Sequence, residues 1–180
     1  PFGDKENEAL KGVGRAESLD KILNWGNLDI SQPEKEILLK EKNNHYRELI
    51  STMEPGEILP GVMDFLNTAK NKGLRMAIGS SSRNAPAILK SVHLEEFFDV
   101  VIDGNKISHS KPHPEVFQKA AAALELKNEE CVVFEDAVAG VESARNAGIK
   151  CIGVGDKSVL NKADKIIVNF KNQSLDILLF

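Results

Sequence analysis

Residues 131–136, Cys-Val-Val-Phe-Glu-Asp, constrain this chain more than any other stretch. Four residues suited to a buried strand run straight into two adjacent carboxylates. From Ala137 to Gly148 the apolar residues fall at helical spacing. Strand, acid pair and helix in that order put Glu135 and Asp136 at the carboxyl end of a strand, the rim on which open α/β sheets bind ligands. Two neighbouring acids repel there unless a proton or a cation offsets them. A hard divalent ion such as Mg2+, which takes one or two carboxylates plus waters and phosphate oxygens, meets that need. A solvated pair favouring the dipole of the following helix is the plainer alternative.

The rest of the chain decides between them. Its 180 residues can bury one medium core, or a core and a small accessory unit. A net charge of −4 with both signs interspersed argues against nucleic acid or an anionic membrane as partner. No apolar run reaches the ~18 residues of a membrane span, and no signal peptide is visible. Cys131 and Cys151 open apolar runs and read as reduced core thiols of a cytoplasmic protein, with a disulfide or two-Cys metal site as the minor alternative.

The first ~54 residues lack a convincing strand. Ala16, Leu19, Ile22 and Leu23 mark one helix. Pro33 suits the first turn of a second, running through Ile37, Leu38, Tyr46, Leu49 and Ile50. Glu54-Pro55-Gly56 is turn chemistry and marks a boundary. Beyond it, helices and strands alternate. A helix from Pro60-Gly61 stops at Gly73, and a strand over 74–79 leads to Ser80-Ser81-Ser82. Asn84 caps the next helix. Strands at 98–102, 131–134, 151–154 and 166–168 follow, with helices over 114–126 and 137–148 and a short terminal helix at 175–180. This rhythm predicts an α/β fold: a Rossmann-like, mainly parallel sheet between helices.

Polar residues gather at the strand ends. Ser80, Ser81 and Ser82 offer hydroxyls and amides to a phosphate, or simply cap a helix. Lys111, in His109-Ser110-Lys111-Pro112-His113-Pro114, stands just before a helix, where a cation is unfavourable without an anionic partner. His109 and His113 read as loop residues rather than metal ligands. Hydroxyl, ammonium and acid pair, each after a strand, together fit phosphoryl transfer.

With these motifs in place the chain resembles the haloacid dehalogenase-like superfamily of phosphotransferases. The motifs are Ile78-Gly79-Ser80-Ser81-Ser82, Ser110-Lys111-Pro112 and Glu135-Asp136-Ala137-Val138-Ala139-Gly140. Leu10-Lys11-Gly12-Val13-Gly14-Arg15 and Ser80-Ser81-Ser82-Arg83-Asn84 are similar to the specificity loop and phosphate loop of its β-phosphoglucomutase-like branch. The resemblance implies residues 1–54 as a partial α-helical cap and 55–180 as the core. It implies Mg2+ at Glu135 and Asp136, and Ser80 and Lys111 at the transferring phosphate. Arg15, Ser82 and Asn84 would hold a distal phosphate, with Ser81 in the same loop. Lys11, Gly12, Val13 and Lys42 would meet the sugar or close the cap. The implied reaction interconverts β-glucose 1-phosphate and glucose 6-phosphate through an aspartyl-phosphate enzyme and a bisphosphate intermediate.

One part of the pattern is absent. The superfamily's chemistry uses an Asp nucleophile and, two residues on, an acid/base Asp, after a strand that precedes the cap. No Asp-x-Asp occurs here; Asp99 and Asp103 lie between the Ser and Lys motifs. The expectation is a chain lacking the first core strand and first cap helix, inactive by itself. Its full-length form is expected to be a monomer, with strand exchange between copies open to the fragment. A capped sugar-phosphate phosphatase and an inactive remnant are the alternatives. A phosphoacceptor signalling domain would carry its acids first and its lysine last.

Overall fold

The computed structural model describes residues 2–180. Helices α1 (Asp4–Glu8), α2 (Arg15–Trp25) and α3 (Gln32–Ser51) come first. The start of α3 follows from its sequence: Ser31 accepts from the Glu34 amide, the Glu34 carboxylate accepts from the Ser31 amide at 2.8 Å, and Pro33 fills the first turn. A single 3-10 turn, Pro55–Glu57, connects this helical segment to the rest.

Strands and helices then alternate: α4 (Val62–Asn71), β1 (Ala77–Gly79), α5 (Ala85–Ser91), β2 (Val100–Ile102), α6 (Glu115–Ala123), β3 (Val132–Glu135), α7 (Val138–Asn146), β4 (Lys150–Val154) and β5 (Lys165–Ile167). Every strand pairing is parallel. Side chains alternate along the strands, so both faces are covered. Ala77, Val100 and Ile102 join α6 and α7 in one cluster, while Ile78 and Val101 pack with Leu89, Val92 and Leu94 in another. Phe134 packs against Phe65 of α4 and against Phe170, with ring centroids 5.3 and 5.2 Å apart. No helix among the described residues is long and apolar enough to cross a membrane.

Three local expectations change. The strand predicted over 74–79 is shorter, because its first residue completes α4: the Leu74 amide donates to Ala69 O after Gly73 turns with φ +72°. Met76 is then tied to Asp99 by the carboxylate and by the backbone rather than by a regular ladder. The terminal helix is only a 3-10 turn, Leu175–Leu178. Asn84 stands at the N-cap of α5, but its side chain makes no capping bond and its Nδ2 donates to Asn43.

The sheet is in two pieces, β1-β2 and β3-β4-β5. β4, paired on both edges, buries Cys151, Ile152 and Gly153. β1 and β3, each paired on one edge, stay half-buried at every residue despite comparably apolar sequences. The carboxyl ends of β1 and β3 are joined instead by one side chain, that of Lys111.

Candidate active site

Lys111 is held by a loop with little freedom. The Glu115 carboxylate accepts from the amides of Ser108 (3.0 Å) and His109 (2.8 Å) and pairs with Lys119. Ser143 Oγ donates to His113 O, and Asn146 donates to Pro112 O. With so many donors, the Glu115 carboxyl is lowered to about 2. Its oxygens are occupied, and His113 Nδ1 accepts from the Glu115 amide. The stacked His109 and His113 rings, 4.5 Å apart, take part in the turn's own bonding, and with Glu115 they form a cluster of possible metal donors.

The buried Lys111 ammonium donates to Gly79 O at 3.1 Å, at the end of β1. It also donates to Glu135 Oε2 at 2.9 Å, at the end of β3. The Phe117 ring lies 4.7 Å from the same nitrogen. An ammonium has three protons, so two are committed to these oxygens and one is left without a hydrogen-bond acceptor among the described residues. Gly79 is needed for this packing, since a Cβ there would lie 2.9 Å from Phe117.

The adjacent acids part company. Glu135 turns inward and folds over Gly140, where a Cβ would come within 2.0 Å of its carboxyl carbon. Burial raises the Glu135 carboxyl; Lys111 opposes that shift, and the Asp136 charge adds to it. Asp136 is exposed at the start of the β3–α7 turn. One free carboxylate beside one whose second oxygen is not taken by Lys111 suits a hard cation, so this donor set fits Mg2+.

The serine loop is braced from behind. The Ser80 amide donates to Ile102 O, the Gly104 amide to Ser82 O, and Asn105 Nδ2 to Arg83 O. Asp103 is buried and holds Asn105 through its amide and its side chain. Asp99 and Asp103 are thus structural. Ser80 Oγ accepts from the Ser82 amide and Ser82 Oγ from the Asn84 amide, both at 3.1 Å, which leaves each hydroxyl proton free to donate. Ser81 Oγ accepts from the Lys111 amide, tying the two loops together.

The helical segment lies against these loops. Gly12, with φ +74°, sits where a Cβ would touch Ala137, Ala139 and the Lys111 stem. Val13 is half-buried beside it. Lys11 pairs with Glu8 at 2.5 Å; that bond raises its ammonium, and Asp136 adds to the effect. Arg15 is lowered first by partial burial and then by the neighbouring Arg83 guanidinium. Asn84 Nδ2 donates to Asn43 Oδ1 of α3 at 3.0 Å. Lys42 lies over the Tyr46 ring at 5.0 Å, on its own helix.

A strand-end hydroxyl loop, a lysine bridging two strands and an acid pair form one site, and known proteins share this chain's sequence and shape. A model of the haloacid dehalogenase-like hydrolase family matches residues 1–148. The chain belongs to that family. It is 36% identical over 180 residues to a β-phosphoglucomutase of Bacillus subtilis, covering 99% of this chain and 80% of that protein. It is 30% identical over 155 residues to a phosphorylated carbohydrates phosphatase of Thermotoga maritima, covering 84% of this chain and 69% of that one. The crystal structure of a β-phosphoglucomutase from Clostridium difficile superposes with a TM-score of 0.93 at 34% identity, over 98% of this chain and 80% of that one.

Four residues at the site were not assigned from sequence: Asn43, Arg83, Phe117 and Ser110. Asn43 follows Lys42, and Arg83 lies between Ser82 and Asn84, so each had a flanking signal. Phe117 reads only as an apolar residue of α6. Nothing local in sequence marks Ser110 as a contact of α2.

Proposed function

We propose that this chain carries the phosphate-binding and metal-binding parts of a Mg2+-dependent phosphoryl transfer on a sugar phosphate, interconverting β-glucose 1-phosphate and glucose 6-phosphate. The observation that carries this reading is the Lys111 ammonium, buried between Gly79 O and Glu135 Oε2 with one proton to spare. Lys111 and the Ser80 hydroxyl bind the transferring phosphoryl oxygens, where preorganised donors in a dry site act most strongly. Glu135 and Asp136 would hold Mg2+, which when bound neutralises phosphoryl charge.

The distal phosphate of a bisphosphate meets Arg15, Ser82 and Asn84, with Arg83 beside them. Two guanidiniums close enough to repel suit a dianion better than empty solvent. Residues 1–54 act as a cap and 55–180 as the core. Lys11, Gly12, Val13 and Lys42 line the sugar side. The closed cap excludes water and favours a sugar hydroxyl as acceptor. The phosphoryl carrier and proton shuttle in this reading are an Asp pair that these 180 residues do not include. Two unpaired thiols, with buried Cys151 pushed up to about 12 and so inert, agree with a cytoplasmic setting.

The phosphatase reading keeps the same site with water as acceptor, and the Thermotoga relative supports it. Product analysis with β-glucose 1-phosphate and Mg2+ separates the two, run on the complete gene product and on the 180-residue chain. Glucose 6-phosphate is expected from the former. Inorganic phosphate as the main product would favour the phosphatase. Turnover by the 180 residues alone would overturn the assignment of the carrier to an Asp outside them.

A further inference from the structure

Gly14, the residue before α2, has φ −65° and ψ 151°, a conformation open to any residue. Its backbone does not require glycine; its surroundings do. A Cβ at Gly14 would lie 2.6 Å from Ser110 Oγ and 3.1 Å from Ser110 Cβ. Three residues on, and so on the same face of the first turn, Glu17 Oε2 accepts from Ser110 Oγ at 3.2 Å. The other Glu17 oxygen faces Lys21 at 3.7 Å. One core side chain is therefore seated between two positions of one cap helix.

We propose that Ser110 is the seat on which the helical segment closes, and that its contact with Gly14 and Glu17 couples closure to the position of Lys111. This rests on the reading of residues 1–54 as a cap. The coupling is mechanical. Ser110 immediately precedes Lys111, and its loop is pinned on both sides by Glu115, Ser143 and Asn146. A wedge at Gly14 displaces the Ser110 hydroxyl from Glu17, and with the loop pinned around it a shift of the Ser110 backbone passes to the lysine. Displacing a catalytic group by about 1 Å can cost on the order of a hundredfold in rate. A second side-chain bond across the cleft, Asn43 to Asn84, involves a residue, Asn84, that the proposed reaction assigns to substrate. The Ser110 contact does not. It lies in the wall of a separate 560 Å3 cleft lined by Glu17, His109 and Asn146 rather than by the acid pair. It can therefore persist while substrate occupies the site, which makes Ser110 a positioning residue.

Gly14→Ala tests this, because alanine fits that backbone conformation while its Cβ meets Ser110; it also alters the cap of α2 and the unfolded chain, so the double variant with Ser110→Gly isolates the wedge. In the 180-residue protein, hydrogen exchange is expected to rise about tenfold in both 12–17 and 108–113, with the unfolding free energy within about 1 kcal/mol of the parent. Ser110→Gly added to Gly14→Ala removes both clashing atoms and should restore exchange in both segments. Faster exchange confined to 12–17, failure of the second substitution to restore it, or a fall in the urea midpoint in step with exchange would each overturn the seat. In the complete gene product, Gly14→Ala should lower kcat and raise the share released as inorganic phosphate, with both restored by Ser110→Gly. Restored exchange with an unaltered product split would sink the mutase reading and leave the seat standing.

Discussion

On the sheet side of the cleft, Lys111 and Glu135 are 6% and 9% exposed and 2.9 Å apart, with the Phe117 ring and Gly79 O completing the lysine's surroundings. On the helical side, Lys11 and Glu8 form a pair of similar length that is 41% and 35% exposed. The same two charge types meet in both places, yet their energetics differ. A buried pair is weak evidence for stability, but breaking it strands a charge in a poor solvent and is expensive. An exposed pair is screened by water and contributes little. The sheet wall is thus built to hold geometry, while the pair on the helical wall can rearrange at little cost.

The strongest attempt to break that contrast is Lys111→Met. It should cost about 3 to 5 kcal/mol, read by urea unfolding, and the loss should deepen as pH rises. In mild acid the stranded Glu135 can take up a proton and soften the damage. A loss below that of an exposed pair would remove Lys111–Glu135 as a buried anchor. Next in size, Arg15→Ala should leave the urea midpoint within about 0.5 kcal/mol. It should weaken binding of a sugar bisphosphate by about 1.5 to 3 kcal/mol, the value of a charged hydrogen bond, read by calorimetry. A midpoint shift without an affinity change would put Arg15 in the fold rather than the site.

Two glutamates sharpen the comparison through pH. The Glu135 carboxyl is raised above 4.5, so its contribution is complete below that value and lost as pH rises through the folded value. The Glu115 carboxyl is lowered from 4.5 to about 2, so its contribution is complete above 4.5 and lost as pH falls towards 2. Stability against pH should lose its falling limb on the alkaline side in Glu135→Gln and its acid limb in Glu115→Gln. Identical profiles in the two variants would contradict both assignments. The smallest effect belongs to Lys11→Ala, at about 0 to 1 kcal/mol in stability; a larger cost by urea unfolding would mean that the helical wall is structural after all.

The parts of the candidate site stood out by their places beside apolar elements: Ser80 after Ile78-Gly79 and Glu135-Asp136 after Val-Val-Phe, each at a strand end, and Lys111 just before α6. Short apolar runs between turn residues announced the strands, helical spacing announced the helices, and Pro33 announced the first turn of α3. Asn84 shows where that reasoning stops. Its sequence context suits a helix cap, but in the fold its side chain bonds no amide of α5 and donates to Asn43, 41 residues away on α3. The strand over 74–79 was over-long for a local reason of another kind, since Gly73 lets α4 claim the Leu74 amide.

By itself the sequence determined which residues stand at strand ends and in what order, because capping, turn chemistry and side-chain period act within a few residues. Tertiary structure alone decided which of two adjacent acids turns inward. Gly140 leaves room for Glu135, and Lys111, 24 residues away, supplies the charge that makes its burial tolerable. It alone decided that the carboxyl ends of β1 and β3 are bridged by an ammonium, and that Gly14 meets Ser110. Those outcomes depend on which distant surfaces pack together and leave space, and volume and dielectric at a point in the fold are set by the whole chain.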